Sequence, residues 1–319
     1  MKKAIACFAA LTLGVSMLSA CGSTAESASE AVSAAESVVS EAEAASSAAS
    51  AAESTAESVA ASEETEVFGE TEVILFAAKS LNTVLEDSLI AAYNEIQPNV
   101  KITGSYDSSG TLMTQIQEGA TCDVFFSAAQ KQMNTLEEEG LLVDGTRVDV
   151  VNNQVCVVTY ADSGTKVTGI ENLGDASSLA IAAGSVPVGK YTRQALVNLG
   201  VLEEVEDVSE ITTEEISAAL GVEDINECKN VGEVTAAVAE GSNEVGTVYY
   251  SDTYGFEDRL VILEKVSYDL TGNVIYPAAQ VVNPEADELE QAAAADFVQF
   301  LKSDTAKEIL ESYYFDVNV

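Results

Sequence analysis

Leu75-Phe76-Ala77-Ala78-Lys79-Ser80-Leu81 and Ser105-Tyr106-Asp107-Ser108-Ser109-Gly110-Thr111 are two serine-bearing turns, each set between an apolar strand and a helix. Around the first, Thr71–Ala78 predicts a short buried strand. Leu81, Val84, Leu85, Leu89 and Ala92 then recur at helical spacing, with Ser80 expected as the N-cap. Around the second, Val100-Lys101-Ile102-Thr103 alternates as a strand, Leu112 and Ile116 share a helix face, and Gly119 ends that helix. Asp123–Ser127 predicts a third strand, and Gln130–Glu139 a helix closed by Gly140. The order βαβαβα predicts an α/β fold with a parallel sheet covered by helices. Ligands of such sheets bind at the carboxyl ends of the strands, where both serine turns fall. A helix N-terminus offers unpaired N–H donors and the positive end of a dipole. Two such ends, each with a hydroxyl, can enclose a small oxyanion without any charged side chain.

Further along, strands are expected at Asn153–Tyr160, Leu179–Ala183, Glu244–Tyr250 and Arg259–Glu264. Helices are expected over Tyr191–Leu199, Val231–Glu240, Glu285–Lys302 and Thr305–Tyr313. Asn273–Val282 reads as a strand broken by Pro277, which predicts an edge or hinge position. Leu202–Asn230 is acidic and shows no clear period.

The N-terminus is of another kind. Met1-Lys2-Lys3 is followed by the apolar run Ala4 to Leu18, then Leu18-Ser19-Ala20-Cys21 and Gly22. This reads as a secretory signal over residues 1–20, too short to span a bilayer. Cleavage after Ala20 alone would leave a plain secreted chain. From Gly22 to about Glu66 the chain is nearly all Ala, Ser and Glu. Ala and Glu favour helix, but Val32, Val38, Val39 and Val59 are too few for a coiled-coil seam. Residues 21–66 are therefore expected as a solvated, self-repelling tether.

The formal net charge of the 319-residue chain is −39. Nucleic acid is not expected as a partner, because phosphate backbones need a basic face. The chain contains no histidine, no G-x-S-x-G elbow and no H-E-x-x-H, so nucleophilic and zinc hydrolysis lack their usual parts. Cys122, Cys156 and Cys228 fit no zinc spacing and are expected as small buried hydrophobes. Gly184-Ser185-Val186-Pro187-Val188-Gly189-Lys190 has the spacing of a phosphate-binding P-loop, but Tyr191 stands where Ser or Thr would hold magnesium. What survives is an anion-facing turn at a helix start. Tyr249 and Tyr250 end a strand, and packing or a cleft-facing phenol explains them equally well.

The segments "FAAKSL", "YDSSGTLMTQIQEGATCDVFFSAAQKQMNTLEEEGLL", "VPVGKYTRQALVNLG", "GTVYYSDT", "YPAAQV" and "FVQFLKSDTAKEILESYYF" resemble the molybdate-binding proteins of ABC importers, over about Glu72 to Phe315. These are two-lobed extracytoplasmic solute-binding proteins. The resemblance implies two Rossmann-like lobes with mainly parallel sheets, joined by a two-strand hinge around a ligand cleft. Lobe 1 would be residues 67–152 plus 276–319, and lobe 2 residues 153–275. It also implies a tetrahedral dianion, molybdate or tungstate, held by neutral donors and needing no cofactor. Ser80 and Ser109 would supply backbone N–H and hydroxyl donors, Val188 and Val231 backbone N–H groups, and Tyr249 its phenol. Cys21 resembles the lipobox cysteine of bacterial lipoproteins, which is lipidated and anchors the chain to the membrane. The implied partners are the membrane subunits of an ABC permease, with the chain itself a monomer and no enzyme. Departures from the family pattern are Lys79 beside the first serine, Cys122 in place of a proline, and the long Leu202–Asn230 stretch. Rival readings are a carrier of sulfate or phosphate, a nucleotide-binding enzyme built on "GSVPVGK", and a surface sensor or adhesin that binds nothing small.

Overall fold

The computed structural model describes residues 67–319. The signal segment, Cys21 and the tether lie outside the described residues. Strands are β1 Thr71–Ala78, β2 Val100–Asp107, β3 Val124–Phe126, β4 Val148–Asn153, β5 Val155–Tyr160, β6 Leu179–Ala182, β7 Ile225–Cys228, β8 Val245–Tyr249, β9 Leu260–Lys265 and β10 Val274–Gln280. The helices are α1 Asn82–Val84, α2 Ile90–Ile96, α3 Ser109–Gln117, α4 Gln130–Glu138, α5 Pro187–Asn198, α6 Thr213–Leu220, α7 Val231–Ala239, α8 Tyr268–Thr271, α9 Glu288–Phe300 and α10 Asp304–Ser312.

Two five-stranded sheets result, in the orders β2-β1-β3-β10-β4 and β7-β6-β8-β5-β9. The strands with parallel neighbours on both sides read as near-continuous apolar runs, as burial on both faces requires. In β1 every residue from Leu75 to Ala78 is buried. The chain leaves the first sheet at Gln154, between β4 and β5, and returns between β9 and β10. The sheets are mixed rather than mainly parallel: β1 pairs in parallel with β2 and β3, whereas β10 runs antiparallel to β3 and β4. The second sheet repeats the arrangement, with β6 parallel to β7 and β8, and β5 antiparallel to β8 and β9. The antiparallel pairs come from the strands that carry the chain between sheets, which re-enter from the opposite end.

Several local expectations change. Ser80 is not an N-cap: β1 runs straight into a 3₁₀ turn at Lys79–Leu81, and no side chain caps its start. The helix then widens to a π turn over Leu85–Leu89, which keeps Leu85 and Leu89 buried. Pro277 is not on an edge, because β10 lies between β3 and β4. Lacking an N–H, it sits where the register with β4 slips between Tyr276 and Pro277. Helix α5 begins at Pro187, four residues before the expected Tyr191, since proline's fixed φ suits the first helical position. The unassigned acidic stretch holds α6 and β7. Thr212 and Glu215 form a reciprocal capping box at the start of α6, and Gly221 closes it with φ +71°. Cys122, Cys156 and Cys228 are free and buried. Burial pushes the Cys156 thiol up to about 12 and that of Cys228 to about 11, so they behave as the expected small hydrophobes.

Candidate functional site

Four helical starts face one another across the seam between the sheets. In the first sheet, the register Ala78↔Asp107 puts the ends of β1 and β2 side by side, so the Ser80 and Ser109 turns leave the same sheet edge. In the second, α5 follows β6 and α7 follows β7. The starts meet in pairs. A Cβ on Gly110, in the first turn of α3, would lie 2.7 Å from the carbonyl oxygen of Ser185, just before α5. A Cβ on Gly232, in the first turn of α7, would lie 3.1 Å from Cγ of Lys79. Glycine at 110 lets the two backbones approach, and glycine at 232 leaves room for the Lys79 stem. Beside the starts of α3 and α5 lies a cleft of about 310 Å³, bordered by Thr111, Gln132, Ser185 and Lys190 and by none of the five expected site residues.

The expected site residues are all buried: Ser109, Val188 and Tyr249 at 1 % exposure or less, Val231 at 4 % and Ser80 at 8 %. Val188 is the second residue of α5, whose N-cap, Val186, has no side-chain acceptor. Its N–H is therefore one of the first-turn donors that no helix satisfies internally. Val231 opens α7, where the Asn230 side chain accepts from Glu233 N and leaves the first two N–H groups to other partners. At α3, Ser108 is the capping side chain and accepts from Thr111 N. Ser109 Oγ instead accepts from the N–H of Ala128 at 2.9 Å, which leaves its own hydrogen to donate.

Tyr249 ends β8, and the Asp252 carboxylate accepts its backbone N–H at 3.0 Å. Its phenol oxygen is buried, and among the described residues no partner lies at hydrogen-bond distance, the Tyr276 hydroxyl being a neighbour just beyond it. A buried hydroxyl left unpaired costs about 1–3 kcal/mol, so such an atom calls for an explanation. Burial holds the Tyr249 phenol well above its ordinary range, so it is a donor at neutral pH. Its ring packs edge-on against Tyr276, with centroids 5.7 Å apart. The Tyr276 oxygen lies 2.9 Å from Ser80 Oγ, which brings the first serine and Tyr249 to one buried cluster. Asp252 is raised to about 7 by burial, so near neutral pH this carboxyl is only partly charged.

Lys79 does not reach into the cluster: its Nζ donates to Asn82 Oδ1 at 3.1 Å and its stem packs on Gly232. Lys131 bridges the seam, with Nζ 2.5 Å from Asp207 Oδ2 and 3.0 Å from Ser209 Oγ. Sequence reasoning missed Tyr276, Asn153 and Arg193. Arg193 is 1 % exposed and donates to the carbonyls of Ile211, Ala182 and Gly189. It thereby ties the acidic stretch to the Val188 turn. Only its charge within the apolar face of "YTRQAL" hints at burial. Among the described residues no cluster of acidic or cysteine side chains is placed to hold a metal cation. No described helix is long and apolar enough to cross a membrane.

A family model described as bacterial extracellular solute-binding protein matches residues 73–316. The molybdate-binding protein ModA of Haemophilus influenzae is 28 % identical over 250 residues, covering 76 % of this chain and 89 % of that protein. A solved substrate-binding domain from Clostridium difficile, provisionally assigned to a molybdenum ABC transporter, is 32 % identical; the match covers 77 % of this chain and 98 % of that one, with a TM-score of 0.56. The periplasmic molybdate-binding protein of Azotobacter vinelandii shares the fold with a TM-score of 0.63 at 21 % identity, over 77 % of this chain and 100 % of that one. Two mixed sheets joined by two crossings, facing helix starts at the seam and a match over three quarters of the sequence agree: this chain belongs to the bacterial extracellular solute-binding proteins.

Proposed function

We propose that this protein captures molybdate or tungstate outside the cytoplasm and hands it to the membrane subunits of an ABC permease. The observation that carries this reading is the buried, unpartnered Tyr249 hydroxyl, set beside helix starts that expose N–H donors. An oxyanion supplies the missing acceptor for all of them at once. The similarity to proteins named for molybdate supports the choice of anion. In this reading Ser80 and Ser109 donate from residues 67–152 plus 276–319, and Val188, Val231 and Tyr249 from residues 153–275. Cys21 carries the lipid, residues 21–66 hold the body off the membrane, and the chain works as a monomer without catalysis.

The large negative charge does not preclude a dianion. Surface charges beyond ~8 Å are largely screened at physiological salt. Each donor at hydrogen-bond distance in a desolvated cleft contributes about 1.5–3 kcal/mol. The test is a thermal melt of the full-length chain with molybdate, tungstate, sulfate, phosphate and ATP in turn. A ligand that binds only the native state raises the midpoint. A rise with molybdate and tungstate alone is expected. A rise with sulfate or phosphate instead would overturn the ligand, and no rise with any oxyanion would overturn the function.

A further inference from the structure

Behind Ser80 lies a buried chain of polar side chains that the oxyanion site as described does not use. Asn153, the last residue of β4, is 1 % exposed, and Tyr276 on β10 is fully buried. Both stand where the chain passes between the two sheets. The N–H of Gln154 donates to Asn153 Oδ1 at 2.9 Å, which settles the orientation of the amide. Its Nδ2 therefore points the other way and donates to Ser251 Oγ at 2.8 Å and to the Tyr276 oxygen at 3.1 Å. An amide nitrogen can only donate. The Tyr276 oxygen thus accepts from Asn153, and its own hydrogen is left for Ser80 Oγ, 2.9 Å away. The reverse direction would have Tyr276 accept twice and leave its own hydrogen only the Tyr249 oxygen, which lies beyond hydrogen-bond distance, and that is unfavourable. With Ser80 Oγ occupied as an acceptor, the serine hydrogen is free to turn outward.

We infer that Tyr276 and Asn153 are positioning residues of the oxyanion site: they run a one-way relay, Asn153 N–H to Tyr276 O–H to Ser80 O–H, which aims the Ser80 hydrogen at the bound anion. The inference rests on the proposed oxyanion function. A preoriented donor loses no freedom when the anion arrives and cannot present its lone pairs to it. The same relay joins the ligand serine to both strands that link the sheets, and through Ser251 to the turn that follows Tyr249.

The experiment is a double-mutant cycle on the full-length protein, read as molybdate affinity by titration calorimetry. Tyr276→Phe keeps the ring and its packing but removes the relay, and is expected to weaken binding about tenfold. In a Ser80→Ala background the same substitution is expected to change affinity less than twofold, because Tyr276 acts only through that hydroxyl. Asn153→Ala, which frees the phenol to turn either way, is expected to lose less than Tyr276→Phe and to show the same dependence on Ser80. Wild-type affinity in Tyr276→Phe would overturn the relay. So would an equal loss with and without Ser80, which marks a packing role. Wild-type protein that binds neither molybdate nor any other oxyanion would instead overturn the function, and the relay with it.

Discussion

At the Ser109 turn, the hydroxyl oxygen takes its hydrogen bond from a backbone N–H 19 residues along the chain. At the Ser80 turn, the matching oxygen faces a phenol 196 residues away, on a strand that links the two sheets. Both arrangements reach the same end, a serine whose acceptor side is filled and whose hydrogen is free. They reach it by different means, one local and rigid, the other assembled from distant strands. The difference teaches that two serine-bearing turns at the same sheet edge need not share a cause. The first is a property of one lobe, whereas the second exists only when β1, β4 and β10 are all in place.

The sharpest way to break this comparison is to delete each hydroxyl. Ser109→Ala is expected to weaken molybdate binding about 10–100-fold, the loss of one charge-assisted hydrogen bond. It should also lower the melting point of the ligand-free protein, because the Ala128 N–H is left buried and unpaired, at about 1–3 kcal/mol. Ser80→Ala is expected to match it in binding. Its stability loss should be partly recovered in Ser80→Ala/Tyr276→Phe, since both hydroxyls are then gone and only one Asn153 N–H loses its acceptor. No side-chain change can rescue Ser109→Ala in that way. Equal behaviour of the two turns in melts of all three variants would erase the distinction.

Tyr249→Phe sharpens the contrast between donors that serve the fold and donors proposed to serve a ligand. Among the described residues no group lies at hydrogen-bond distance from its hydroxyl, whose polar neighbour is the Tyr276 hydroxyl. Affinity should fall about tenfold while the melting point of the ligand-free protein stays level or rises, and a lower melting point would mean the hydroxyl has a structural partner.

A smaller effect concerns Asp252 behind Tyr249. Burial raises this carboxyl to about 7, so the native state holds a proton that the unfolded chain releases near pH 4. Native protein then binds more protons than unfolded protein between those values, and the contribution of Asp252 to stability falls as pH rises from 4 to 7. Asp252→Asn keeps an acceptor for the Tyr249 N–H and removes the titration. Melts from pH 4 to 8 should show the variant gaining on the wild type up to about pH 7, then a constant gap. A gap independent of pH would mean the carboxyl is ionised throughout.

The smallest effect is expected from the Lys131–Asp207 bridge. Both side chains are well exposed, at 42 % and 36 %, and such pairs contribute under about 1 kcal/mol. Lys131→Ala should speed molybdate release less than about fivefold in stopped-flow measurements at low salt, and the effect should vanish at high salt.

Much of this architecture was legible in the sequence, and what was legible is local. The run from Val73 to Ala78, the helical spacing after it, and Gly119 and Gly140 at helix ends each follow from a period or a backbone preference within a few residues. The TTEE capping box of α6 was there as well, at Thr212 and Glu215, but it was hidden by the acidity around it. Helix starts with unpaired donors could be inferred for the same reason, since a helix that follows a strand exposes its first N–H groups wherever it stands. What only the tertiary structure decided is which turns face which, that Ser80 caps nothing, that Pro277 lies inside a sheet, and that Tyr276 and Asn153 stand behind the site. These depend on register and strand order between segments far apart in the chain. Hydrogen-bond direction is set by partners in space, and a one-dimensional pattern does not carry them.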